Sequence, residues 1–387
     1  MKATLKKADL KDALINMNKA INTGATKPVL NLVKISSGLT GLYLTATDLE
    51  IYIRQKLGRL DFDGVIECLV DGKQFAQAVK SAPGKEIDLE LNGKVLKIAG
   101  AIELDASWDL DEYPLEPNGE WLDPIWIDGE EFATQVKRTL FAAAKDMSCY
   151  AYNGLLFEAK GKLIATDGRR LAISKCPISS AAWEAVLVKK GLDLAARAYK
   201  KDHEVGVTRA NTSVGRPVIR FEGKEGVTLY VRQLEGDFPK YRDAVPEKIS
   251  KRVLIHRETF QPAIEQAVAL NKEREVHELD LIFDEDGKLR LQTTVDGVGS
   301  MDVEVEALGG PKDFRICLNP DFVLDWLKSL EKVGALSSVH TMGRVHGTVE
   351  LGLQAEKAGQ KRGTKAMTFQ DADDLDQTYI LMPITEK

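Results

Sequence analysis

Apolar residues recur along this chain with two different periods. From Lys7 to Ile21 they place Leu10, Leu14, Met17 and Ile21 on one stripe. Gly129 to Ala144 does the same with Phe132, Val136, Leu140 and Ala143, and Glu258 to Leu270 with Phe260, Ile264, Ala267 and Val268. These spacings predict three amphipathic helices. A second helix is predicted in each third of the chain. Asp71-Gly72-Lys73-Gln74-Phe75 opens the first, Lys190-Gly191-Leu192-Asp193-Leu194 the second, and Asn319-Pro320-Asp321-Phe322 the third. Asn319 suits an N-cap, and Pro320 the first helical turn after it. The other period is two. Leu42, Leu44 and Ala46 alternate with polar neighbours, as do Ile51 and Ile53, and Val227, Leu229 and Val231, which predicts strands.

The two patterns repeat together. Phe75, Leu194 and Phe322 in the second helices lie 119 and 128 residues apart. Thr47, Thr166 and Thr294, each at a predicted hairpin tip, have the same offsets of 119 and 128. Leu10, Phe132 and Phe260 give 122 and 128, which places a three-residue difference in a loop. The chain therefore reads as three copies of one helix–strand unit. The joints carry an aromatic–proline pair, Tyr113-Pro114 and Phe238-Pro239, and proline keeps the preceding residue extended. Boundaries fall near residues 121 and 248, giving domains 1–121, 122–248 and 249–387. Residues 354–377 form a long polar stretch that reads as a flexible loop.

Composition narrows the class. Of 387 residues, 44% are hydrophobic and 29% charged, as in ordinary globular proteins, and no apolar run approaches a membrane span. The N-terminus has no signal-peptide core, so a cytoplasmic location is expected. Cys68, Cys149, Cys176 and Cys317 are scattered and read as free, buried or half-buried thiols. The net charge of −6 argues against tight, sequence-reading DNA binding, but not against cations gathered on one face. The five histidines show no metal-ligand spacing, and neither G-x-S-x-G nor H-E-x-x-H occurs. No cofactor or metal is expected. The rival readings are an enzyme without a local motif and a non-enzymatic adaptor.

Three stretches carry a resemblance. Ala165-Thr166-Asp167-Gly168-Arg169-Arg170-Leu171-Ala172 reads as a hairpin with an Asp-Gly turn. Phe238-Pro239-Lys240-Tyr241-Arg242 is a connector, and Tyr379-Ile380-Leu381-Met382-Pro383-Ile384 lies close to the C-terminus. Together and in this order they resemble the bacterial sliding clamp family, the β subunit of the replicative DNA polymerase III. The family has an ATDGHRLA-like hairpin, an FPDYRRVLP-like connector and a YVVMPM-like end. Arg169 stands where the family has histidine, and Asp243 where it has arginine.

The resemblance implies an α+β DNA-clamp fold with three repeated helix–strand units per chain. Two chains would form a head-to-tail homodimeric ring, with helices inside and sheets outside. It implies a non-enzymatic processivity factor that encircles double-stranded DNA and is loaded by an ATP-driven clamp loader. Polymerase and loader would bind through short peptides of glutamine, leucine and an aromatic residue. The implied peptide cleft is Tyr152, Thr166, Gly168, Arg170, Leu171, Pro239, Ile380, Met382 and Pro383. Ile380 and Met382 fit the core of a last strand as well.

On a helical wheel Lys73, Gln77 and Lys80 lie opposite Phe75, Val79 and Ala82. Lys137, Arg138 and Lys145 lie away from Phe132, Val136 and Ala143. That is also the pattern of an ordinary solvated face. In the family such faces line the hole, so Lys73, Lys80, Lys137 and Arg138 are DNA-facing candidates. Tyr150 matches a DNA-touching position of the family, and Lys27 is the cation nearest another. Glu258 and Glu265 break the basic pattern in the third unit. The implied dimer interface joins Ile102 and Leu104 to Val268 and Leu270, residues that intradomain packing would explain equally.

Overall fold

The computed structural model describes residues 1–21, 24, 26–38, 41–145, 150–178, 183–211, 217–224, 226–330, 347–356, 363–372 and 374–384. Among these, the order of elements repeats three times. The first run is β1 (Lys2–Lys6), α1 (Lys7–Ala20), β2 (Leu32–Gly38), β3 (Gly41–Thr47), β4 (Ile51–Leu57), β5 (Arg59–Asp63), β6 (Glu67–Asp71), α2 (Gly72–Ser81), β7 (Glu86–Asn92), β8 (Val95–Ile98) and β9 (Ile102–Asp105). The second is β10 (Glu120–Trp121), β11 (Ile125–Ile127), α3 (Gly129–Leu140), β12 (Gly154–Glu158), β13 (Lys162–Thr166), β14 (Arg170–Lys175), β15 (Ala185–Val188), α4 (Lys189–Ala198), β16 (Val205–Asn211), β17 (Val218–Gly223) and β18 (Val227–Arg232). The third is β19 (Lys251–His256), α5 (Arg257–Asn271), β20 (Leu279–Phe283), β21 (Leu289–Val295), β22 (Gly299–Val305), β23 (Ala307–Gly309), β24 (Phe314–Leu318), α6 (Pro320–Ser329), β25 (Thr348–Leu353), β26 (Met367–Asp371) and β27 (Asp374–Leu381).

The predicted stripes are the buried ones. Leu10, Leu14, Met17 and Ile21 are buried along α1, and Phe260, Ile264 and Ala267 along α5. Full burial of such a side chain contributes roughly 1.5–3 kcal/mol. Asp71 caps α2, its carboxylate accepting from the Gln74 N–H at 2.8 Å. Asn319 caps α6, accepting from the Asp321 and Phe322 N–H groups. α1 packs on α2, and α5 on α6.

Two expectations need correcting. α3 ends at Leu140 rather than Ala144. The Ala142 and Ala143 N–H groups bond the carbonyls of Thr139 and Leu140, three residues back, so the alanine run tightens into a turn. The polar stretch 354–377 is not all loop. Met367 and Phe369 are fully buried at alternate positions of β26, which lies between β25 and β27 in an antiparallel sheet.

The chain forms two compact units, residues 1–133 with 180–235, and 134–179 with 236–387. The first unit holds a five-stranded sheet, β5-β1-β7-β8-β9, and a large sheet in the order β10-β16-β17-β18-β4-β3-β2-β6. The second holds the path β12-β13-β14-β27-β26-β25-β19-β23 and a four-stranded sheet, β22-β21-β20-β24. In each large sheet one join follows the same rule. The strand after the hairpin tip of one repeat pairs with the last strand of the next, β4 with β18 and β14 with β27, both antiparallel. Cys68, Cys176 and Cys317 are buried and form no disulfide, and Cys149 lies outside the described residues. Burial pushes the Cys68 thiol up to about 12. Among the described residues no helix is long and apolar enough to cross a membrane.

Candidate partner-binding and DNA-facing surfaces

The tip between β13 and β14 is set by its own side chains. Thr166 Oγ1 donates to the Arg170 carbonyl at 2.7 Å and accepts from the Gly168 N–H at 3.1 Å. Asp167 Oδ1 accepts from the Arg169 and Arg170 N–H groups, both at 3.0 Å. Gly168 sits at φ +85°, a conformation open to glycine at little cost. The turn between β3 and β4 repeats this network 119 residues earlier. Thr47 Oγ1 donates to the Ile51 carbonyl at 2.7 Å and accepts from Leu49 N–H at 3.0 Å. Asp48 Oδ1 accepts from Glu50 and Ile51 N–H at 3.1 and 2.8 Å.

Arg170 departs from the role expected of it. Its residue is 3% exposed, so its guanidinium is turned inward rather than offered to a ligand. Nε donates to Asp167 Oδ2 at 2.9 Å, and Nη1 to Asp325 Oδ2 on α6 at 2.8 Å. The guanidinium lies over the Phe322 ring at 4.3 Å and the Phe141 ring at 5.6 Å. Burial works against its charge, but Tyr379, Asp325 and Asp167 outweigh that and raise its pKa. Arg170 thus fastens the hairpin to α6. Asp325, Phe322 and Phe141 were missed by sequence reasoning, because none of them is near Arg170 in sequence.

The remaining cleft candidates divide. Leu171 pairs with Ile380 across β14 and β27, and both are buried, at 3% and 2% exposure. The Met382 N–H bonds the Arg169 carbonyl at 3.0 Å, which holds Met382 beside the tip with its residue 45% exposed. Gly168 and Arg169 are exposed there as well, and Pro383 is half-buried. Tyr152 is half-buried in the short 3-10 turn that leads into β12, at the tip's end of that strand. Pro239 is fastened at another point. The Tyr241 hydroxyl donates to Glu158 Oε1 at 2.9 Å, and Arg242 pairs with the same carboxylate. Glu158 ends β12 opposite Lys162, roughly 13 Å along the strand from the tip at 3.3 Å per residue. Burial, then Glu158, pushes the Tyr241 phenol up to about 12.

The lysine faces also divide. Lys73, Gln77 and Lys80 are exposed on α2 while Phe75, Ala78 and Val79 are buried. Lys27, Lys137 and Lys145 are exposed. Arg138 does not share that face, being only 3% exposed. The reason is that α3 is buried on a second, polar side. Gln135 and Thr139 are buried beside Arg138, Thr139 Oγ1 lies 2.6 Å from Ser174 Oγ, and Gln377 Nε2 donates to the Arg138 carbonyl at 2.6 Å. The Tyr150 side chain lies outside the described residues. Glu258 and Glu265 are exposed on α5.

The interface candidates lie at edges. β9 ends the five-stranded sheet, with Ile102 and Leu104 half-buried. Val268 and Leu270 are half-buried near the end of α5. β22 ends the four-stranded sheet, and a Cβ placed on Gly299 would lie 3.8 Å from Leu270. Met301 and Val303 are half-buried on β22 between exposed Ser300, Asp302 and Glu304. The alternation Ser-Met-Asp-Val-Glu-Val could have revealed this strand.

Comparison with known proteins fits this geometry. Residues 1–117 match the family described as DNA polymerase III beta subunit, N-terminal domain, and residues 126–240 match its central domain. The beta sliding clamp of Bacillus subtilis is 22% identical over 351 residues, covering 86% of this chain and 91% of that protein. That of Synechocystis is 23% identical and covers 99% of both. The DNA polymerase III beta subunit of Thermotoga maritima superimposes with a TM-score of 0.83 at 22% identity, over 100% of both chains. The fold is therefore the α+β clamp fold, and the family matches make the chain a non-catalytic processivity factor. The chain belongs to the DNA polymerase III beta subunit family, the bacterial sliding clamps.

Proposed function

We propose that two copies of this chain close head to tail into a ring that encircles duplex DNA and tethers a polymerase to it. The observation that carries this reading is the repeated strand join. β4 pairs with β18 and β14 with β27, while the corresponding strand of the third repeat, β22, is an edge, as is β9, the last strand of the first repeat. A second copy that supplies β9 to β22 satisfies the rule twice over and closes the ring. Ile102 and Leu104 then face Met301 and Val303, with Val268 and Leu270 behind. The repeats act as domains 1–121, 122–248 and 249–387.

Within the ring, Lys27, Lys73, Lys80 and Lys137 face DNA. Lysine–phosphate contacts release counterions without reading bases, so binding is salt-sensitive and free to slide. Tethering makes each rebinding of polymerase effectively intramolecular. Partners dock by short peptides at the β13–β14 tip, where Gly168, Arg169, Met382 and Pro383 form the accessible part. Met382 adapts to varied apolar side chains there, and Thr166, Arg170, Leu171 and Ile380 support it from beneath. Tyr152 and Pro239 extend the site on either side.

The test is retention on circular DNA. The protein, loaded onto a nicked circle, stays bound at moderate salt and is released when the circle is cut. Equal retention on circular and linear DNA overturns the ring. Leu104→Asp should yield monomers in sedimentation and abolish retention.

A further inference from the structure

The two joins within the chain fix the register of a join between copies. Val231 pairs with Ile51, and Leu381 with Arg170. In each case the next residue reaches the tip: the Arg232 N–H bonds the Glu50 carbonyl at 2.9 Å, and the Met382 N–H the Arg169 carbonyl at 3.0 Å. The half-buried residues to be matched are Ile102 and Leu104 on β9, and Met301 and Val303 on β22. Antiparallel pairing sets Leu104 opposite Met301 and Ile102 opposite Val303. Ala106 then meets Gly299, Ser107 takes the place of Arg232 and Met382, and Trp108 emerges at the tip between β21 and β22.

Strand pairing alone holds this join poorly. The same register puts Glu103 opposite Asp302, and like charges directly opposed destabilise a pair of strands. Their own cations, Lys97 on β8 and Arg290 on β21, lie one strand further out on either side. The tip end offers more. Trp108 is 39% exposed. Its backbone is held on both sides, the Asp105 carboxylate accepting from the Ser107 N–H at 3.0 Å and the Asp109 carboxylate from the Asp111 N–H at 2.9 Å. A held backbone with a large apolar side chain in water is pre-organised to bind. Facing it in this register, Val298 is 58% exposed and Val276 54%. Arg274 Nη1 donates to the Thr294 carbonyl at 3.4 Å, which ties the loop carrying Val276 to the tip carrying Val298. Exposed apolar residues scattered singly are ordinary, but these gather at one end of one join.

We propose that Trp108 of one copy is the anchor of the ring joint, seated on Val276 and Val298 of the other copy. Ile102 and Leu104 form the middle of the joint, and Trp108 closes its tip end. A tryptophan buried on association often carries a large share of the binding energy. The occupant of the exposed valines is thus a second copy of this chain, and the apolar seat offsets the repulsion between Glu103 and Asp302. The inference rests on the head-to-tail ring, and the experiment separates the two.

The full-length protein is sedimented over a concentration series as wild type, Trp108→Ala, Trp108→Phe and Val298→Asp. Wild type should dimerise. Trp108→Ala and Val298→Asp alter opposite sides of the contact at exposed positions. Each should weaken the dimer about tenfold or more, with far-UV circular dichroism unchanged. Diluting wild type into monomers should shift its tryptophan emission to the red, and Trp108→Phe should remove that shift. A wild-type chain that stays monomeric at micromolar concentration overturns the ring, and the anchor with it. A wild-type dimer whose dissociation constant is unmoved by both Trp108→Ala and Val298→Asp overturns the anchor alone. So does a dilution shift that persists in Trp108→Phe.

Discussion

The turns at 47–51 and 166–170 share a backbone and differ at their last residue. Both are built by a threonine hydroxyl and an aspartate carboxylate with matching bonds. In the first the closing residue is Ile51, 1% exposed among apolar neighbours. In the second it is Arg170, just as buried but tied to Asp167 and Asp325 and flanked by two phenyl rings. One turn can therefore present either a hydrophobic plug or a buried cation, provided the second has carboxylates to meet it. The turn is local; the partner it needs is not. The second hairpin depends on α6, 155 residues further along the chain.

Exchanging the closing residues gives the largest effects. Ile51→Arg buries a cation whose one matching carboxylate, Asp48, already pairs with Lys190, and should cost about 3–5 kcal/mol in urea unfolding. Arg170→Ile should cost less, roughly 2–3 kcal/mol, because Asp325 is partly exposed and can be hydrated. Tolerance of Ile51→Arg within about 1 kcal/mol would break the comparison. Next comes alkaline pH. Tyr52 behind the first hairpin and Tyr241 behind the second are each pushed up to about 12, chiefly by burial. A folded pKa above the unfolded value stabilises fully below pH 10, and the contribution is lost as pH rises through about 12. The melting temperature should fall across that window, and Tyr241→Phe should make the fall shallower. A phenolate absorbance change completed by pH 10 would contradict it.

The aspartates sharpen the contrast further. Asp48→Ala should cost about 1 kcal/mol, the usual loss for a side chain that caps backbone N–H groups. Asp167→Ala should cost about 1–2 kcal/mol, since it also strips a partner from Arg170. Equal losses would mean that the Asp167–Arg170 pair adds nothing. The smallest effect is at the third turn residue. A Cβ on Gly168 meets no atom within 4 Å, so Gly168→Ala should cost about 1 kcal/mol from the backbone alone. Leu49 already occupies φ +77°, and Leu49→Gly should change stability by less than about 1 kcal/mol, the strain relieved offsetting unfolded-state entropy.

These hairpins also mark how far the sequence could be read. Thr-Asp at a fixed offset exposed the repeat, because the turn's hydrogen bonds stay within five residues. Amphipathic stripes exposed the helices for a similar reason. Arg138 was misplaced because a helical wheel assumes one buried side, and α3 has a second one, polar and closed by Gln377 from the distant last strand. Arg170 was legible as a residue but not as a buried one, since Asp325 and Phe322 arrive from α6. The β26 strand was hidden by the polar run before it, although Met367 and Phe369 carry a two-residue period.

The join between β4 and β18 sets a timetable for synthesis. Ile51 pairs with Val231 and Gln55 with Val227, partners that follow by roughly 170–180 residues. At about 5–20 residues per second, the open edge of β4 waits some 10–35 seconds on the ribosome for its neighbour. Throughout that interval Ile51 and Ile53 sit on a strand paired with β3 on one side and open on the other, a situation prone to pairing with a neighbouring nascent chain. β14 waits longer still for β27. The strand exchange between repeats therefore makes crowded polysomes the place where this chain is most exposed to misassembly, and a slower initiation rate should raise its soluble yield.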